Sequence, residues 1–115
     1  MKRPTETFSV RGDGNCLMRC VSFFLTGSQA FYKKVREDVT TYIGNHRDIF
    51  DNLSMSENYL EESQMEVDGK WGTVIEFFAI ATMLATPVCV FCQYNLSSFK
   101  WLTYGPLDQI PKNMN

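Results

Sequence analysis

From residue 17 onward the apolar positions of this chain recur at three- and four-residue spacing. Leu17, Cys20, Val21 and Phe24 predict a helix over 16–25. It is entered from the loop formers Gly12, Asp13 and Gly14 with Asn15 as N-cap, and Gly27 is a fitting stop. Ser28 then caps a second helix. Phe31, Val35, Val39, Tyr42 and Ile43 share one face of it, and Lys33, Lys34, Arg36, Glu37 and Asp38 fall largely opposite, a solvated face rather than a binding patch. Gly44-Asn45 ends that helix. Ser54-Met55-Ser56-Glu57 has the form of a capping box and predicts a third helix carrying Tyr59 and Leu60, with Glu61 and Glu62 exposed.

After a turn at Val67-Asp68-Gly69-Lys70, Thr73-x-x-Glu76 is a second capping box. It opens a helix over 74–85 that is apolar nearly all round, the pattern of a buried central helix, with Trp71 as a structural anchor beside it. Pro87 prevents its continuation. Residues 88–94 and 99–104 read as two β-strands joined by a hairpin turn, with Cys89 and Cys92 packed in the sheet. A short strand is expected around 8–10, and irregular structure at Gly105-Pro106-Leu107 and Ile110-Pro111. The expected fold is one α+β domain over 1–115, a small central β-sheet flanked by helices.

Composition narrows the function classes. A chain of 115 residues with 44% hydrophobic and 14% aromatic positions supports one folded core. A net charge of −2 gives no basic field for nucleic acid or an anionic membrane, and no apolar run reaches membrane-spanning length. The four cysteines fall in two close pairs, Cys16/Cys20 and Cys89/Cys92, but neither lies in the Gly-containing turn of a zinc knuckle. No metal and no cofactor are therefore expected. Free thiols and the lack of a signal-peptide pattern place the chain in a reducing compartment, cytoplasm or nucleus, and a monomer is expected.

Cys16 carries the candidate chemistry. It stands at the first helical position, directly after a glycine-containing turn, where unpaired backbone N–H groups and the positive end of the helix dipole converge. Both favour a thiolate, the usual arrangement for a nucleophile, and the N–H groups of the turn could face a developing oxyanion. Cysteines also serve as small apolar fillers, and Cys20, one turn on, is expected to be one.

Asp13-Gly14-Asn15-Cys16-Leu17-Met18-Arg19 resembles the nucleophile motif of the ovarian-tumour (OTU) family of cysteine proteases, which are deubiquitinases; Met18 stands where that family usually has an aromatic residue. Trp71-Gly72-Thr73-Val74-Ile75-Glu76 resembles a second block of the same family, in the right order and at a plausible separation. The resemblance implies Cys16 as nucleophile, Asp13 as a contributor to the oxyanion hole and in some members to the triad, Gly14 and Asn15 as the rest of that loop, and ubiquitin or polyubiquitin as partner. It also implies a catalytic histidine near the end of the domain. No histidine follows His46, the sole one, which lies past the far end of the second helix and reads as a surface residue. The expectation is a fragment truncated at its C-terminus, or a short form, that is a weak or inactive protease. The alternatives are a non-catalytic ubiquitin-binding module on the same fold, and a plain α/β domain in which Cys16 is core.

Overall fold

A computed structural model describes residues 9–95 and 98–108, with the side chains of 91–95 and 98–99 excepted. Helix α1 spans Cys16–Thr26 and ends on Gly27, whose φ of 78° is the left-handed conformation a glycine adopts without strain. Ser28 caps a one-turn 3-10 helix, Gln29–Phe31, rather than α2 itself; its Oγ accepts from the Ala30 N–H. Helix α2 then spans Tyr32–Asn45. Residues 9 and 10 are irregular, and the rest of the expected first strand lies outside the described residues.

The middle of the chain departs from the sequence expectation. A helix α3, Arg47–Ser54, follows α2 after the single residue His46, and the Gly44-Asn45 stop conceals it. Its pattern, Ile49 and Phe50 followed by Leu53, covers barely two turns, too short for periodicity to register. Ser54 does not cap a helix; it is the last residue of α3, and Met55 adopts the left-handed conformation with φ 59°. The next helix, α4, spans Tyr59–Ser63, and Asn58 caps it. The expected box fails because the helix-ending bonds win: the Met55 N–H donates to Asn52 O, the Ser56 N–H to Asp51 O, and Ser56 Oγ to Glu62 Oε2.

Helix α5, Val74–Leu84, forms as expected, with both halves of its capping box present. Glu76 Oε1 accepts from the Thr73 N–H at 2.6 Å and from Thr73 Oγ1 at 2.7 Å, while Glu76 Oε2 accepts from the Tyr59 hydroxyl at 2.7 Å. These bonds let a fully buried carboxylate sit in the core. Strands β1, Val88–Asn95, and β2, Ser98–Tyr104, pair antiparallel with Val88 opposite Tyr104 and Phe91 opposite Trp101, and the register shifts between Gln93 and Asn95.

Helices α1, α2 and α5 pack around a core of Met18, Val39, Ile43, Phe50, Ala79 and Ile80. Phe50 is fully buried, which stabilises the fold by about 2–3 kcal/mol in transfer terms and ties α3 to the rest. Tyr104 packs against Phe77 and Phe78 at centroid distances of 5.0 and 5.3 Å and so fixes the hairpin on α5. The Leu107 N–H then donates to Thr82 Oγ1 at 2.9 Å, holding the exit of β2 against the same helix. The architecture is α+β, mostly helical with a two-stranded sheet among the described residues.

Candidate active site

The stripe that predicted α1 is divided between core and cleft: Leu17 and Val21 are half-buried against the core, while Cys20 and Phe24 are exposed. Met18 and Ser22 are the buried residues of α1, whereas Leu17, Cys20, Val21 and Phe24 line an open cleft. Cys20 is exposed rather than a core filler, and Phe24 is 73% exposed. Across the cleft stand α5, through Phe77 and Ile80, and the start of β1, through Val88, Cys89 and Val90. Cys89 is exposed on this side instead of packing within the sheet; the side chain of Cys92 lies outside the described residues. The cleft has a volume of about 780 Å³ and a mostly apolar lining.

Cys16, the first residue of α1, is half-buried at the wall of this cleft. Trp71 and Gly72 line it too. Trp71 is 59% exposed, so it is a wall of the cleft and not the structural anchor expected. A Cβ on Gly72 would lie 2.6 Å from Leu17 Cδ2, the mobile end of a side chain, so the glycine eases a close approach that a small shift of Leu17 could also accommodate. The Trp-Gly block thus lets the entry to α5 approach the first turn of α1.

The loop ahead of Cys16 is held on both sides. Asp13 pairs with Arg19, Oδ2 to Nη2 at 2.7 Å, and its Oδ1 accepts from the Asn15 N–H at 3.1 Å. The hydrogen bond from Arg19 is the main cause that holds the Asp13 carboxyl below its ordinary value. Arg19 in turn stacks over Tyr32, 3.9 Å from the ring centroid. Gly14 is buried at φ 84°, and a Cβ on it would lie 1.8 Å from Gly69 O, so two glycine backbones meet there with no room for a side chain.

Asn15 occupies the N-cap position of α1, but its side chain makes no cap bond. It turns inward, 4% exposed, and Oδ1 accepts from Arg36 Nη2 at 2.9 Å and from the Gly69 N–H at 3.0 Å. Arg36 was expected on the solvated face of α2 and is instead 3% exposed. Its Nη2 also donates to Gly14 O at 3.1 Å and Lys70 O at 2.7 Å, and Nη1 to Met65 O at 3.0 Å. Burial pushes the Arg36 guanidinium down from its ordinary value, and the charges of Asp68 and Glu76 partly offset this. The signal for Arg36 was legible: it sits four residues after Tyr32 and three before Val39, on the apolar side of the wheel.

The structure therefore brings Cys16, Asp13, Gly14 and Asn15 together. His46 is elsewhere, at the α2–α3 junction, half-buried, with Nδ1 2.9 Å from Tyr42 O and its ring stacked on Tyr42; it does not line the cleft. A thiol at a helix N-terminus beside an apolar cleft and a turn of backbone N–H groups is an arrangement suited to acyl transfer. No helix among the described residues is long and apolar enough to cross a membrane.

Comparison with known proteins agrees with this geometry. The OTU-like cysteine protease family matches residues 11–109. Human OTU domain-containing protein 1 is 35% identical over 86 residues, covering 72% of this chain and 17% of the relative. The ovarian tumor domain-containing deubiquitinating enzyme 12 of Arabidopsis thaliana is 28% identical over 105 residues, covering 91% of this chain and 47% of the relative. The chain thus spans under half the length of these curated relatives. Among solved structures, the OTUD1 OTU domain superposes with a TM-score of 0.74 at 28% identity, covering 90% of this chain and 71% of that one. The viral OTU domain protease of Dera Ghazi Khan virus shares the fold, with a TM-score of 0.71 at 20% identity over 86% of this chain and 65% of that one. The chain belongs to the OTU-like cysteine protease family.

Proposed function

We propose that this member of the OTU-like cysteine protease family carries the nucleophile half of a deubiquitinase site, with ubiquitin or polyubiquitin as its partner. The observation that supports it most is the position of Cys16, at the start of α1 and in the wall of a large apolar cleft. In the reaction, the Cys16 thiolate adds to the carbonyl carbon of the isopeptide bond between ubiquitin and a lysine. N–H groups of the loop at Asp13 and Gly14 and of the first turn of α1 hold the oxyanion, the Asn15 N–H being engaged by Asp13 Oδ1. The tetrahedral intermediate collapses, the lysine amine leaves after taking up a proton, and water hydrolyses the thioester to return the thiol.

The Asp13 side chain, engaged by Arg19 and the Asn15 N–H, acts on the loop rather than on an imidazole. His46 does not serve as the base, since it is bound at the α2–α3 junction. Without a positioned imidazole the rate falls by ~10²–10⁴-fold or more, so these residues alone turn over substrate poorly. This same observation favours a second reading, a ubiquitin-binding module without turnover. Both readings suit a reducing compartment, with Cys16, Cys20 and Cys89 free.

The test pairs a ubiquitin C-terminal electrophile with a fluorogenic ubiquitin substrate. The expected result is covalent labelling of Cys16, lost in Cys16→Ala and retained in His46→Ala, with weak turnover. No labelling beside measurable ubiquitin affinity selects the binding module. Rapid turnover that vanishes in Cys16→Ala but survives in His46→Ala refutes the expectation of poor activity, because another base is then in use.

A further inference from the structure

Asn15 is by residue type and position the natural cap of α1, yet its Oδ1 points away from the helix. The groups that draw it away are Arg36 Nη2 and the Gly69 N–H. The same Nη2 holds Gly14 O and Lys70 O, so one guanidinium spans the turn before Cys16 and the segment that crosses behind it. Arg36 sits in this place with no carboxylate in contact among the described residues, and its Nε is buried without a partner. A buried cation bonded to carbonyl and amide oxygens and a thioether, with Asp68 and Glu76 offsetting its charge only from a distance, is a costly way to fasten two loops. Its planar fork does what a point charge cannot, reaching three chain segments at once.

We propose that Arg36 is a positioning residue for the nucleophile: it keeps the Asn15 side chain off the N-terminus of α1, so that the first-turn N–H groups face the cleft and Cys16 without a competing acceptor. Four N–H groups at a helix start have no intrahelical partner, and a side-chain cap would occupy one of them and screen its charge. Here the cap residue is present but diverted. Gly14, with no Cβ, lets the turn pack on Gly69 closely enough for the diversion to hold. The inference rests on the reading of Cys16 as the nucleophile, but concerns how its surroundings are set.

The experiment measures alkylation of Cys16 and Cys20 by iodoacetamide in the same molecule, resolved by peptide mass spectrometry across a pH series. Cys20 lies one turn along α1, lines the same cleft and is the internal control. In Arg36→Met and Arg36→Lys the Asn15 Oδ1 loses its charged donor and keeps only the neutral Gly69 N–H, against which the N-terminal N–H groups of α1 then compete for it. The Cys16-to-Cys20 rate ratio then falls by about fivefold, the scale of a helix-terminus effect, and the pH profile of Cys16 moves up by more than that of Cys20, whose thiol is held up chiefly by burial and less by the Cys16 charge. Arg36→Lys decides the matter if Arg36→Met does not fold, since it keeps the charge and most of the volume but loses the fork. A ratio and profile unchanged in a folded Arg36→Lys protein overturn the proposal, as does a rise in the ratio. A general loss of packing raises both rates together and likewise counts against it. Failure of wild-type Cys16 to react with a ubiquitin electrophile would overturn the substrate assignment instead, and leaves this ratio readable.

Discussion

Replacing Gly14 by alanine should cost far more than the same change at Gly27, and the comparison isolates one contact. Both glycines have positive φ, 84° and 78°, so an alanine at either pays the left-handed strain of about 1–2 kcal/mol. At Gly27 nothing lies within 4 Å of the added Cβ, and strain is the whole cost. At Gly14 the new Cβ would sit 1.8 Å from Gly69 O, against 3.4 Å for ordinary contact. The obstacle is backbone and cannot swing aside, so the 65–70 segment must retreat. That retreat stretches the Gly69 N–H bond to Asn15 and the Arg36 bond to Lys70 O. A neutral hydrogen bond contributes about 1 kcal/mol and one to a charged group about 1.5–3 kcal/mol. With both bonds lost the expected cost of Gly14→Ala is about 4–6 kcal/mol, a large share of the roughly 5–15 kcal/mol of a typical domain. Urea unfolding followed by far-UV circular dichroism measures it, with Gly27→Ala as reference. If both variants lose the same stability, the close approach of the two glycine backbones has no energetic weight and the account of the loop is wrong.

Tyr59→Phe removes the hydroxyl that donates to Glu76 Oε2 and leaves a fully buried carboxylate one donor short. It should lower unfolding stability by about 1.5–3 kcal/mol in urea titrations, and a neutral effect would show that Glu76 is satisfied otherwise. Asp13→Asn tests the Arg19 pair through pH. The folded-state carboxyl of Asp13 lies below its ordinary 3.8, so its stabilisation is present above that value and is lost as pH falls through the depressed folded-state value. Wild type should therefore exceed Asp13→Asn in urea midpoint near neutral pH and converge with it in acid; a constant gap across the series contradicts the pairing.

The parts of the fold legible in the sequence are those where a local rule and the tertiary environment agree. Thr73 and Glu76 form the predicted box because the helix they open is also the centre of the core. Gly27 stops α1 because nothing overrides its conformation. Where two local signals compete, tertiary contacts decide: Ser54 has the right neighbours for a cap but lies inside a helix whose Phe50 is anchored in the core. Apolar spacing in α1 identifies a face without saying what it faces, and the stripe of Leu17, Val21 and Phe24 lines the cleft. Within the site, Cys16 and its loop could be read from the motif. The wheel places Arg36 on the buried side of α2, but what it and the inward-turned Asn15 bind there could not be read without the crossing segment, because their partners lie far along the chain.

That distance bears on the order of folding. The bonds that shape the turn before Cys16 join residues separated by 21, 22 and 54 positions. A ribosome that has delivered α1 and α2 has not yet delivered Gly69, so the emerging chain holds the cysteine without its setting. Closing such long loops costs entropy before the contacts reward it, which puts this turn among the last parts to settle. Substitutions there should speed unfolding more than they slow folding, a low φ-value that stopped-flow chevrons would measure. If Cys16 is the nucleophile proposed above, its surroundings are then completed only with the fold, and a partly folded intermediate carries the thiol without them.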